Sequence, residues 1–245
     1  MRFFYLKLLT GAAISFAIAS CASLQAQQPG AQAAPASLGK GEVSLLEPRK
    51  VAAAVVAAAL PTPKRIVNVG ARQGEFLEVF LDQFPNTPGQ WTEPEESIDN
   101  HNIDIAKARL ARFGDRVSYV IGGYGRDISD GSVPRDADVI VTDWMSINQN
   151  LDGMYRIYRL AAEQLPHGGW LVDLDHVGFG GSAWDGELSA ASKGFRPELE
   201  GPPTKFSTIR LATIDEQLGA MRAAGLDAKV VWQSFNLVLF MARKP

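Results

Sequence analysis

One cysteine, Cys21, in 245 residues excludes an intrachain disulfide framework and a cysteine-built zinc site. The three histidines, His101, His167 and His176, fall at no metal-ligand spacing such as HExxH, so no bound metal is expected. Charge of one sign is lacking too: the net charge is -3 and no basic stretch stands out, which removes the electrostatic ground for a nucleic-acid partner. No G-x-S-x-G elbow occurs, which disfavours Ser/His/Asp hydrolysis, and no internal repeat is visible. What is present is globular: 46% apolar and 21% charged residues, in a length that suits one α/β domain and a short extra segment.

That extra segment is N-terminal. Residues 1–26 begin with a basic region (Arg2, Lys7), run through apolar residues from Leu8 to Ala19 and finish in small residues, the layout of a secretory signal. The apolar run is short for a membrane span. Ile18-Ala19-Ser20-Cys21 resembles the bacterial lipoprotein box, in which the signal is cut before a cysteine that is then acylated. This reading expects lipidation at Cys21, export, and a membrane partner reached through the lipid anchor facing the periplasm. A signal cut near Ala26 and an uncleaved anchor are the alternatives. Residues 27–41, rich in Gln, Ala, Pro, Gly and Ser, have little to bury and are expected to be a flexible linker.

From residue 42 to 245, helix and strand patterns alternate. Val43, Leu46, Val51, Val55 and Leu60 mark a helix over 42–60, ended by Pro61 and Pro63. Arg65–Gly70 has strand length, and Phe76, Leu77, Phe80, Leu81 and Phe84 then recur at helical spacing. Gly89–Pro94 is expected as a second strand, followed by a helix with Ile103, Ala106, Leu110 and Phe113. Val117–Gly123 and Ala137–Trp144 are the third and fourth strands, the latter with a continuous apolar run of the kind found in strands covered on both faces. A helix with Met154, Ile157, Tyr158, Ala161 and Leu165 leads into a fifth strand, Trp170–Val177. Residues 178–208 have no clear period and read as a long insertion over the sheet's carboxyl edge. A helix with Ile214, Leu218 and Met221 and two closing strands, Ala228–Phe235 and Leu237–Ala242, complete the chain. The expected fold is α/β: a Rossmann-like, doubly wound, mostly parallel seven-stranded sheet with a C-terminal antiparallel strand pair.

The chemistry centres on Arg65-Ile-Val-Asn-Val-Gly-Ala-Arg-Gln-Gly-Glu-Phe76. A strand ends at Gly70 and a helix starts just past Gly74. Glycines leave the backbone open to a ligand, and the free amides of a helix start point outward. Glu93 lies about twenty residues on, at the end of the next strand, where a carboxylate can accept hydrogen bonds from both hydroxyls of a ribose.

In this order the features resemble the class I S-adenosylmethionine-dependent methyltransferases, over about residues 42–245. Asn68-Val-Gly-Ala-Arg-Gln-Gly74 is similar to the family's first motif, Glu93 to its ribose-binding acid, and Asp138-Val-Ile-Val-Thr-Asp143 to its fourth motif. Leu165-Pro-His-Gly-Gly-Trp170 resembles the turn into its fifth strand, and Met221–Leu226 through Leu239–Pro245 its final helix and antiparallel pair. The resemblance implies S-adenosylmethionine as cofactor, held by Asn68, Gly70, Ala71, Gly74, Glu93 and Asp143, and methyl transfer to a small-molecule or surface acceptor. Three departures stand out. Asn68 replaces the family's usual acid, Ala71 stands where a second glycine is usual, and Gly122-Gly123 takes the place of an adenine-side acid, with Asp127 further on.

Methyl transfer from a sulfonium needs an in-line nucleophile more than a fixed triad. Asp143, Asp173, Asp175 and His176 lie near the carboxyl ends of the fourth and fifth strands, and His176 is the base candidate because its ordinary pKa is near neutrality. Asp143 is the second catalytic candidate, and Trp144, Phe179, Trp184 and Phe195 are candidates to line an acceptor pocket. An exported, tethered protein that keeps the fold without catalysis is the alternative. A nicotinamide-dependent oxidoreductase shares the first turn and Glu93 but normally carries G-x-G-x-x-G, which is absent.

Overall fold

The computed structural model describes residues 45–93, 102–122, 133–145, 149–195 and 210–245. The signal at 1–26, Cys21, the linker at 27–41, His101 and Asp127 lie outside them, as do the side chain of Phe195 and much of the 178–208 stretch.

The described strands are β1 (Ile66–Val69), β2 (Gly89–Glu93), β3 (Val117–Ile121), β4 (Val139–Asp143), β5 (Trp170–His176), β6 (Asp227–Ser234) and β7 (Leu237–Arg243). They form one sheet in the order β3-β2-β1-β4-β5-β7-β6. β1 to β5 run parallel, while β7 lies antiparallel to both β5 and β6. The expected architecture and the closing antiparallel pair are therefore present. The strand order reverses at β1 and β4, and that switch point is where ligands lie in open α/β sheets.

Helices α1 (Leu46–Ala59), α2 (Glu75–Gln83), α3 (Asn102–Leu110), α4 (Leu151–Gln164), α5 (Asp185–Phe195) and α6 (Ile214–Ala223) accompany the sheet. Residues of α1, α2 and α3 pack with Ile66, Val139, Val141 and Val172 on one face. Residues of α4 and α6 pack with Val67, Ile140 and Leu171 on the other. Because alternate residues of a strand point to opposite faces, β4 buries every side chain, and its unbroken apolar run follows from that. Phe76 and Phe80 of α2 are wholly buried edge to face at 5.5 Å, each worth roughly 1.5–3 kcal/mol of transfer free energy.

The expected helix over 42–60 is present as α1, but a different face is buried. Leu46 is exposed and Val51 and Val55 are half-buried, whereas Arg49, Ala52, Ala53 and Val56 are inside. These four share one helical face at spacings of three, four and seven. Small side chains bring that face close to α2 and the sheet, and Arg49 takes its polar end into the interior. A second correction concerns 178–208, part of which is the helix α5. The Asp185 carboxylate accepts hydrogen bonds from the Gly181 amide and the Ser182 hydroxyl where the helix begins. Alanine, serine and glycine fill most of α5, so it presents no apolar stripe for a periodicity reading to find.

Candidate functional site

The turn between β1 and α2 holds three residues in the left-handed region: Gly70 at φ +66°, Arg72 at φ +46° and Gly74 at φ +82°. Gly70 and Gly74 take this conformation without the steric cost a Cβ would bring. A Cβ on Gly74 would also lie 3.0 Å from Leu110 Cδ1. Ala71 stands where the family this chain resembles usually has a second glycine. Ala71 has an ordinary φ, and the left-handed residue between the two glycines is Arg72.

The turn is fastened to the end of β2. The Ala71 amide donates to the Thr92 carbonyl (3.1 Å), the Arg72 amide to Glu93 Oε1 (2.9 Å), and Trp91 Nε1 to the Arg72 carbonyl (2.9 Å). Glu93 is 3% exposed and stands at the carboxyl end of β2 next to the turn, so the structure brings together Gly70, Gly74 and Glu93.

At the end of β4 the Asp143 carboxylate is buried against Arg49 of α1, Nη2 to Oδ2 at 3.0 Å, with the Arg49 guanidinium also 5.7 Å from the centre of the Phe76 ring. Burial pushes the Asp143 carboxyl up from its ordinary pKa, against the opposing pull of Arg49. Asn68 is fully buried and donates through Nδ2 to the Val141 carbonyl at 3.1 Å. Asn68 Oδ1, Thr142 Oγ1 and Asp143 Oδ1 are buried and lack a hydrogen-bond partner in the structure. Three such acceptors at the ends of two neighbouring strands are unusual, since buried polar groups are normally satisfied.

Trp144 follows Asp143 at φ +53°, its amide donating to the Leu174 carbonyl. The Arg72 guanidinium lies 4.1 Å from the Trp144 ring centre, and the His176 ring is 5.9 Å away. Two of the three left-handed residues other than glycine among those described thus stack on each other at the sheet's carboxyl edge, and such strain gathers at functional sites. Arg72 keeps solvent contact. The protein packed round its guanidinium lowers its pKa, against Asp143, Glu75 and Glu93, yet leaves it charged at neutral pH.

The remaining candidates separate. Asp173 is inside the β5 strand, fully buried, with Tyr158 Oη 2.6 Å from its Oδ2 and Gln217 Oε1 2.8 Å from the same hydroxyl. Burial and neighbouring Asp175 push Asp173 well above the usual carboxylate range. One tyrosine hydroxyl has one hydrogen for two acceptors, so a proton on Asp173 satisfies both contacts. Asp173 therefore belongs to the interior between β5, α4 and α6. Asp175 is also fully buried and accepts from the His176 amide, while His176 itself sits at the strand's end beside Trp144. Trp184 is exposed and Phe179 half-buried. Among the described residues no group of three or more His, Cys, Asp and Glu could hold a metal, and no helix is long and apolar enough to cross a membrane.

Sequence reasoning missed Arg49 and Arg72. Arg72 stood in plain view between Gly70 and Gly74, with no pattern to mark its backbone as left-handed. Arg49 carried a fainter signal, sharing the helical face of Ala52, Ala53 and Val56, which is where a small-residue stripe packs.

No protein-family model and no curated protein matches the chain. Solved structures do match in fold. An O-methyltransferase family 2 protein from Planctomyces limnophilus, in complex with apigenin, is 19% identical with a TM-score of 0.60, covering 80% of this chain and 56% of its own. The mitomycin 7-O-methyltransferase is 18% identical with a TM-score of 0.55, covering 82% and 54%. An amino pentose methyltransferase of calicheamicin biosynthesis from Micromonospora echinaspora, bound to S-adenosylmethionine, is 17% identical with a TM-score of 0.54, covering 81% and 91%. The chain matches a little over half the length of the O-methyltransferases, and nearly all of the sugar enzyme. Its fold is that of the class I S-adenosylmethionine-dependent methyltransferases.

Proposed function

We propose that the chain is an S-adenosylmethionine-dependent methyltransferase acting on a small-molecule acceptor. The observation that carries this reading is the placement of Glu93 and the left-handed Gly70–Gly74 turn side by side at the carboxyl ends of β2 and β1, at the sheet's switch point. The residues fit the cofactor. Glu93 would hold the ribose hydroxyls, and the turn leaves its backbone open to close approach at Gly70 and Gly74. The buried acceptors Asn68 Oδ1, Thr142 Oγ1 and Asp143 Oδ1 match the donors of an amino group better than they match an apolar lining. When bound, the cofactor supplies an electrophilic methyl group on a sulfonium. The protein's part is to hold an acceptor in line and exclude water, with His176 beside Trp144 as the group able to take the acceptor's proton. The methyltransferase structures that share the fold, one in complex with apigenin and one a mitomycin 7-O-methyltransferase, support the same reading.

Calorimetric titration of the full chain with S-adenosylmethionine tests this. Saturable binding weakened at least tenfold in Glu93→Ala is expected, and a folded protein that gives no binding heat refutes the reading. A second reading, an exported protein that keeps the fold without catalysis, draws on Asn68 and on Arg72 lying over Trp144. It predicts a folded chain that neither binds S-adenosylmethionine saturably nor transfers a methyl group to any acceptor. We also propose that the signal at 1–26 directs export and that Cys21 is acylated, tethering the domain at 42–245 through the linker. Loss of acyl labelling and of membrane fractionation in Cys21→Ser is expected; unchanged labelling refutes the lipid anchor.

A further inference from the structure

We infer that α5 is a hinged cover for the sheet's carboxyl edge, and that Trp184 is the side chain it lowers onto a bound adenosyl ligand. The inference rests on the cofactor reading above and goes beyond it, since it concerns a helix and a side chain outside the set that would hold the cofactor.

The chain leaves β5 at His176 and is at first fastened. The Val177 amide donates to the Asn236 carbonyl (2.8 Å) and the Gly178 amide to the Ala212 carbonyl (2.9 Å). A Cβ on Gly178 would lie 2.8 Å from the Leu211 carbonyl oxygen, so the backbones are in close contact there. Two residues on, the surroundings open. Gly180 and Gly181 stand in succession at φ +94° and +83°, and a Cβ on either would meet nothing within 4 Å. Glycines in open space can change φ and ψ at little cost, and hinges are built from a few such residues at the end of an element.

The helix follows as one piece. The Asp185 carboxylate accepts from the Gly181 amide and the Ser182 hydroxyl, so rotation at the glycines carries the helix start with it. From Asp185 to Ser192 only Ser192 is buried, its hydroxyl donating to Asn236 Oδ1 at 2.9 Å. Asn236 thus holds the end of β5 through its carbonyl and α5 through its side chain. It sits in the two-residue turn between β6 and β7, after Phe235 at φ +51°, a strained backbone for a bulky residue. Ser192 and Asn236 form the post, and Trp184 is at the free end. At 62% it is the most exposed large hydrophobic side chain among the described residues. Eight residues of helix separate it from Ser192, about 12 Å, so a rotation of about 30° about that post moves the indole by about 6 Å. His176, four residues before the hinge, stacks with Trp144 at 5.9 Å on the edge to be covered. A ligand lying over that edge keeps an outer face in water, and a cover that excludes the water serves the transfer step.

The test is acrylamide quenching of tryptophan fluorescence in the full chain, with and without saturating adenosylhomocysteine. Subtracting Trp184→Phe isolates the Trp184 emission from that of the other four tryptophans. The ligand is expected to lower the Trp184 quenching constant at least about twofold, as a side chain 62% exposed becomes largely covered. Ser192→Ala and Asn236→Ala, each of which removes the bond at the post, are expected to lose that protection. Trp184→Ala is expected to weaken adenosylhomocysteine about tenfold by calorimetry, the scale of burying one aromatic side chain. Ligand binding with Trp184 quenching unchanged overturns the inference and leaves the cofactor reading intact. Protection that persists in Ser192→Ala and Asn236→Ala, or wild-type affinity in Trp184→Ala, also overturns it. A folded wild type that does not bind the ligand overturns the cofactor reading and the inference with it.

Discussion

Replacing Arg49 by methionine should destabilise the protein more than the loss of any exposed ion pair. The Arg49 and Asp143 side chains are 9% and 2% exposed and meet at 3.0 Å, so removing the guanidinium leaves a carboxylate with no cation in a place water does not reach. Breaking a buried pair from one side costs about 3–5 kcal/mol, whereas replacing both partners by apolar residues is often neutral. The pair is also incompletely satisfied: Arg49 Nε and Asp143 Oδ1 have no hydrogen-bond partner in the structure, so it repays little of its desolvation. Urea unfolding of the full chain followed by tryptophan fluorescence should therefore show Arg49→Met losing about 3 kcal/mol, a midpoint shift of about 1.5 M at a slope of about 2 kcal/mol/M. Arg49→Met combined with Asp143→Leu should return to within about 1 kcal/mol of wild type. The pH dependence has a definite sign. Burial already raises the folded-state pKa of Asp143, and losing Arg49 raises it further. Stability from a raised carboxyl is fully present below the unfolded pKa and is lost as pH rises through the folded one, so the deficit of Arg49→Met is larger at pH 8 than at pH 5. A single-variant cost below about 1 kcal/mol, or a double variant no better than the single, would falsify the view that this pair is a buried charge problem solved jointly.

Three further substitutions probe the turn and the interior. Gly74→Ala should lower the melting temperature more than Gly70→Ala: both positions are left-handed, at a cost of about 1–2 kcal/mol for a non-glycine residue, but the new Cβ at 74 also meets Leu110 at 3.0 Å, against 3.4 Å to Met145 at 70. Differential scanning calorimetry reads the order, and the reverse order refutes it. Wild-type stability should carry a component, from Asp173, that is present below the unfolded carboxyl pKa and lost as pH rises through its raised folded value. Asp173→Asn keeps a hydrogen-bonding side chain beside Tyr158 and should flatten that slope in urea unfolding from pH 4 to pH 8; an unchanged slope shows that Asp173 is not its source.

The sheet was legible from sequence because its signals are local. β4 is apolar at its first three positions and buried throughout, α2 and α4 carry complete apolar stripes, and Gly70, Gly74 and Gly114 punctuate the chain where the backbone turns to positive φ. The helix α5 was not legible, since its Ala, Ser and Gly residues give no stripe, and the buried face of α1 was misplaced because its alanines outpack its larger residues. At the site, Gly70, Gly74 and Glu93 could be read from spacing along the chain. Arg49, 94 residues before Asp143, could not, because pairing across that distance depends on how α1 lies against the sheet. Arg72 failed for a different reason: a glycine-like backbone on a non-glycine residue is a property of the fold, and it leaves no mark in composition or period.

The central claim is that the corner formed by Gly70–Gly74 and Glu93 takes the ribose of an adenosyl ligand. A crystal structure of the full chain with adenosylhomocysteine tests it most directly. The account predicts density for the ligand over this turn, with both ribose hydroxyls donating to the Glu93 carboxylate at about 2.5–3.0 Å. A ligand bound elsewhere on the chain, or a ribose turned away from Glu93, would contradict it.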